Sequence, residues 1–144
     1  MSTVSYGVNT SGSLVPAAPG VPFLTGTSVN GMTVGSKVVY KDNLGNIEVF
    51  DGTEANAHAI VGISDGAAVM AGGTVTYCPV NGLVTLNPMF TVGTTELYAK
   101  NTGDLGDFSS LTAGYFTRRV GTLSKNDGSK FYVDFDTVMQ VPAP

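Results

Sequence analysis

An internal repeat restricts this fold more than any other feature of the sequence. Gly35, Tyr40 and Gly45 recur as Gly93, Tyr98 and Gly103, each 58 positions later (93 − 35). Val61-Gly62-Ile63-Ser64 is answered by Val120-Gly121 through Ser124, 59 positions later (120 − 61), so one inserted loop residue reconciles the two offsets. Matches that keep one order and nearly one offset define a duplicated unit: strand, Gly turn, strand, loop, then a strand carrying Val-Gly. The copies span about 35–86 and 93–136, and Ser64 corresponds to Ser124. Two copies fall short of the roughly three that a solenoid needs. They are expected to close one small antiparallel β-barrel or sandwich.

Composition supports an all-β chain. It holds 19 Gly in 144 residues, and charged residues are 12%, about half the usual ~25%. Short strands and tight turns suit this Gly-rich, β-branched mixture better than helices do. Soluble monomers rely on surface charge, so so few charges point to an exterior partly covered in an assembly. The net charge of −4 argues against a nucleic-acid partner, which calls for a basic face, and Arg118-Arg119 is too short a basic run to form one. A single cysteine, Cys78, permits no intrachain disulfide. Met1-Ser-Thr-Val has neither the basic start nor the apolar run of a secretion signal. No stretch reaches the ~18 apolar residues of a membrane span. The sequon Asn9-Thr10-Ser11 is therefore read as a chance match.

Two regions emerge along the chain. Residues 1–30 read as an extended arm in which Pro16, Pro19 and Pro22 fix φ and remove amide donors, so the arm is not a central strand. Its apolar residues Leu14, Val15, Val21, Phe23 and Leu24 are more than an unstructured tail needs. They are the candidate partner-binding anchors. Residues 31–144 form a single β domain. Lys37–Tyr40 and Asn46–Phe50 flank a Gly45 hairpin loop, with Ile47 and Val49 facing inward and Glu48 facing water. Thr53–Ala59 reads as a loop more than a helical turn. Asn81-Gly82 is the strongest hairpin signal, joining Thr74–Tyr77 to Leu83–Leu86, with Pro79 at an edge or bulge. Lys130–Asp136 is the last strand, with Phe131, Val133 and Phe135 on one face.

None of the candidate sites for chemistry meets its own requirements. Gly62-Ile63-Ser64-Asp65-Gly66 matches the nucleophile elbow, but that motif needs a following helix, and here Gly72 and Gly73 interrupt it. The only histidine, His58, precedes Ser64 instead of following it. His58 and Cys78 lack zinc-ligand spacing, and Asp127, Asp134 and Asp136 lack the Asp-rich calcium loop. Tyr40, Tyr98 and Tyr132 invite comparison with a sugar-binding platform, but equivalent repeat positions for Tyr40 and Tyr98 favour packing. No catalytic, cofactor or metal residues are assigned, and the chain reads as a non-enzyme.

The pattern Gly35-x-x-Val38-x-Tyr40 with Gly45, then Val61-Gly62-Ile63-Ser64, Ala71-Gly72-Gly73-x-Val75 and Asn81-Gly82-Leu83-Val84 carries a resemblance. Continued by Gly93, Tyr98, Gly103 and Val120-Gly121, it resembles the capsid decoration (cement) and head-fibre proteins of tailed bacteriophages. It also resembles the Gly-rich capsid-associated proteins related to them. That resemblance implies a homotrimeric β-barrel or sandwich without enzymatic activity, bound to the major capsid protein. The location it implies is the outer capsid surface of the virion, after synthesis in the host cytoplasm. The arm fits an anchoring role, though none of its residues matches a family motif. A receptor- or glycan-binding fibre domain is the alternative, and a hydrolase using Ser64 the third reading.

Overall fold

A computed structural model describes residues 21–91, 95–124 and 126–143. Leu14 and Val15 lie outside these residues. The chain is all-β, with short strands: β1 (Leu24–Thr27), β2 (Val38–Lys41), β3 (Ile47–Val49), β4 (Ile60–Ser64), β5 (Thr74–Cys78), β6 (Leu83–Thr85), β7 (Glu96–Ala99), β8 (Leu105–Gly106), β9 (Phe116–Thr117), β10 (Arg119–Ser124), β11 (Asp127–Val133) and β12 (Met139–Gln140). Two five-stranded antiparallel sheets hold most of them, in the orders β1-β5-β4-β2-β3 and β6-β11-β10-β7-β8. Substituting β6, β11, β10, β7 and β8 for β1, β5, β4, β2 and β3 turns the first order into the second. The duplication expected from glycines and tyrosines is thus present as two sheets of identical topology.

The registers agree as closely as the topology. Tyr40 pairs with Glu48, and Tyr98, 58 residues on, pairs with Gly106. Between β2 and β4 the ladder passes from Gly62 to Ile60, skipping Val61; between β10 and β7 it passes from Gly121 to Arg119, skipping Val120. Each Val-Gly pair is therefore a β-bulge, an extra residue that sharpens the twist and bends the strand. Gly is required beside the bulge because the neighbouring strand crosses against it. A Cβ at Gly62 would strike the Cys78 carbonyl, and one at Gly121 the Tyr132 carbonyl.

Several expectations move. The sheets begin at Leu24, inside the stretch assigned to the arm, and β6 opens the second repeat instead of closing the first. Asn81-Gly82 does form a tight turn, with Asn81 at φ +73° and Gly82 N–H donating to the Pro79 carbonyl. Yet β5 and β6 lie in different sheets, so this turn is the crossover between repeats and not a hairpin. Local turn chemistry fixed the reversal, while pairing followed the longer-range partner β11. Thr53–Ala59 holds a short helix, α1 (Glu54–His58), with Ala57 buried beneath it. The last long strand runs Asp127–Val133, not Lys130–Asp136. Ser64 pairs with Tyr77 as Leu123 pairs with Phe131, so the partner of Ser64 in the repeat is Leu123, not Ser124.

One core spans both repeats. Val38, Phe50, Ile60, Ile63 and Cys78 from the first pack with Leu97, Val120, Leu123, Phe131 and Val133 from the second. A smaller cluster of Met32, Val39, Ile47, Val75 and Tyr77 fills the first sheet, which curls until β1 meets β3 and Gly26 lies against Ile47. Removing a buried ring such as Phe131 costs about 3–5 kcal/mol by transfer and cavity terms together.

Candidate interaction surface

The arm enters the fold at an apolar patch. Val21 packs over Gly82 on the β5–β6 turn. Phe23 and Leu24 follow at 39% and 44% exposure, and Leu24 opens the edge strand β1 opposite Tyr77. Across the turn, Val80 is exposed, as are Leu83 and Tyr132, which face one another in the β6–β11 ladder. The Tyr132 hydroxyl donates to Asn81 Oδ1 at 3.4 Å. Thus Val21 touches the β5–β6 turn, Phe23 and Leu24 follow it in the chain, and Val80, Leu83 and Tyr132 are exposed on and after that turn. Sequence reasoning did not assign Val80 and Leu83 to a surface, whereas it reads Tyr132 as an exposed aromatic. Alternation along β6 separates Leu83 and Thr85 from Val84 and Leu86. It does not say which face meets water.

Polar candidates are occupied within the fold. Ser64 is fully buried, and its Oγ accepts from Lys37 N–H at 2.8 Å, so it presents no nucleophile. His58 is exposed at the end of α1. Asp134 and Asp136 sit 3.1 and 3.7 Å from the Arg119 guanidinium, and Asp127 accepts from Ser129 N–H and Oγ. Among the described residues no three His, Cys, Asp or Glu side chains converge as a metal site. Arg118 donates to the carbonyls of Ala57 and Asp136 and lies 5.1 Å over the Phe135 ring, so neither arginine is free to build a basic patch. Burial pushes the Cys78 thiol up to about 11, which keeps it protonated and inert at neutral pH.

The three tyrosines occupy three environments. Tyr40 is half-buried against the common core, Tyr98 meets Phe108 edge-on at 5.2 Å, and Tyr132 lies on the exposed patch. A pocket of about 180 Å³ opens between Leu86, Pro88, Phe90 and Leu105. It is smaller than the ~300–1,000 Å³ of typical ligand pockets. Its polar margin is already paired, Ser36 Oγ with Asn87 N–H and Asp104 with Lys37. Among the described residues no helix is long and apolar enough to cross a membrane.

No protein-family model, curated protein or solved structure matches this chain. The functional reading therefore rests on the surface and the repeat.

Proposed function

We propose that this is a non-enzymatic structural protein of a tailed-phage virion, which binds the outer capsid surface as a homotrimer and stabilises the shell by bridging capsid subunits. The observation that carries the reading is the apolar patch at the root of the arm. Phe23, Leu24, Val80, Leu83 and Tyr132 are each exposed on the segments that flank the contact of Val21 with the β5–β6 turn. Exposed apolar patches of this kind mark interaction sites. Prolines stiffen an extended segment and lower the entropy lost when it docks. The duplicated β fold agrees with the fold that the sequence resemblance implies, and the low charge agrees with a covered exterior. Binding would rest on burial: about 800 Å² per partner makes an ordinary stable contact, and several contacts per oligomer multiply its effect.

The test is co-sedimentation with empty heads of the phage that encodes the chain. The truncation to compare removes residues 1–20 only, because cutting to residue 30 would also remove β1 and the Ser28–Asn30 donors to Glu48. The full chain should pellet with the heads. The truncated chain should keep its thermal midpoint and stay in the supernatant. Equal pelleting of both would remove the arm from the mechanism, and no pelleting of the full chain would refute the reading.

A further inference from the structure

Both repeats carry the same hairpin, and among the described residues only one of the two is covered. In the first repeat Asp42 N–H donates to the Asn46 carbonyl at 2.9 Å and Gly45 N–H to the Asp42 carbonyl at 3.0 Å. In the second, Lys100 N–H donates to Asp104 and Gly103 N–H to Lys100, both at 2.9 Å. The turn glycines match as well, at φ +85° for Gly45 and +83° for Gly103. The second turn is seated on the first repeat. Its Gly103 carbonyl accepts from Val38 N–H at 2.7 Å, Gly103 presses on Val49, Asn101 lies against Gly52, and Asp104 pairs with Lys37 at 2.7 Å. Among the described residues the first turn has no such seat: nothing lies within 4 Å of the Cβ position of Gly45, and Leu44 at the tip is 87% exposed.

Among the described residues the matching seat on the second repeat is uncovered as well. At the 58-residue offset, Lys37–Val38 and Val49–Phe50 correspond to Thr95–Glu96 and Asp107–Phe108. Val38 and Phe50 are buried, at 0% and 1% exposure, under the internal joint. Thr95 and Glu96 are exposed, and Phe108 is 42% exposed while held edge-on by Tyr98.

We infer that the Leu44 hairpin of one molecule docks on the Phe108 face of a second copy, repeating between molecules the joint that holds the two repeats together within one. Leu44 buries against Phe108 at the place where the covered hairpin carries Thr102. At the same offset the internal Lys37–Asp104 pair becomes Thr95 opposite Asn46, so a neutral polar pair stands where the internal joint has an ion pair. The occupant is a second copy because the chain itself supplies the template for the contact. A joint between two unlike surfaces is heterologous: it propagates head to tail and closes into a ring when the rotation permits. The inference rests on the self-assembly part of the proposed function, names the surfaces that perform it, and leaves capsid binding to the arm.

Light scattering on Leu44→Asp, Phe108→Asp and their mixture tests the joint. Both positions are exposed, so both variants should stay folded, with the wild type's circular-dichroism spectrum and a midpoint lowered only by the lost association. The wild-type chain should have a mass several times the 14.8 kDa of one chain, and each variant should have the mass of one. An equimolar mixture of the two should form dimers and nothing larger, since Leu44→Asp keeps an intact seat and Phe108→Asp keeps an intact hairpin. Met70→Asp, on the exposed β4–β5 turn, should leave the oligomer whole. A monomeric wild-type chain, a variant with wild-type mass, or a mixture that stays monomeric would each overturn the inference. Capsid co-sedimentation is scored separately, so failure of this joint and failure of shell binding are distinguishable.

Discussion

Glu48 is the one charged side chain buried among the described residues, at 4% exposure. The pattern Ile47-Glu48-Val49 reads locally as a strand with a wet face, and that expectation is wrong for a physical reason. The carboxylate accepts from Ser28 Oγ at 2.9 Å, Val29 N–H at 2.7 Å and Asn30 N–H at 3.3 Å. A buried charge is tolerated when it is hydrogen-bonded in this way. The covering segment lies about twenty residues upstream, beyond the reach of any local periodicity. Glu48→Ala would strand those donors and should cost about 2 kcal/mol in urea unfolding; an unchanged midpoint would contradict the account. Cys78 makes a second residue-scale prediction. Its folded value of about 11 exceeds the ordinary 9.0, so the native state holds the proton more tightly. The associated stability is complete below about pH 9 and declines as pH rises through 11. At neutral pH the thiol should resist alkylation until the protein unfolds, whereas rapid native-state labelling would show that it is accessible.

At the scale of elements, the repeat was legible because its glycines are demanded by geometry. Gly45 and Gly103 supply positive φ in matching turns, and Gly62 and Gly121 let a neighbouring strand cross at matching bulges. Gly62→Ala and Gly121→Ala should each destabilise the fold by about 1–3 kcal/mol through overpacking. The turn glycines should differ from each other. Gly45→Ala meets open space and pays only backbone strain, about 1 kcal/mol, while Gly103→Ala must also displace Val49. Equal costs at the two turns would contradict the asymmetric joint. Strand pairing was less legible than strand position. Asn81-Gly82 specifies a reversal of the chain, but it carries no information on whether the flanking strands pair with each other or with partners elsewhere. α1 was also missed, because one helical turn is too short to show a period and is held by burial of Ala57.

At the scale of the whole molecule, the joint between repeats has a pH signature. Burial works to raise the Asp104 carboxyl, but hydrogen bonds from Lys37 and Thr102, with the charges of Lys37 and Lys100, outweigh it and hold the group below its ordinary 3.8. The unfolded chain therefore takes up the proton first. The stability this pair adds is present above about pH 4 and lost as pH falls through the depressed folded value. Asp104 is 48% exposed, so solvent screening keeps the contribution under about 1 kcal/mol. Asp104→Asn should flatten the acid limb of the stability profile by that amount. Of the candidate surface, the apolar residues of the arm could be named from sequence, because prolines and clustered apolar residues are visible in a linear string; Val21, Phe23 and Leu24 are the ones that fall among the described residues. Val80 and Leu83 were not visible as a surface, since their exposure depends on the crossover that brings β6 beside Val21; Tyr132 reads as exposed because it alternates with Phe131 and Val133. The central claim, that this protein strengthens a shell by covering its joints, is tested most directly by calorimetry of empty heads with and without a saturating amount of the full chain. The account predicts a higher melting temperature for the decorated heads than for the bare ones. Heads that bind the chain and melt at an unchanged temperature would contradict it.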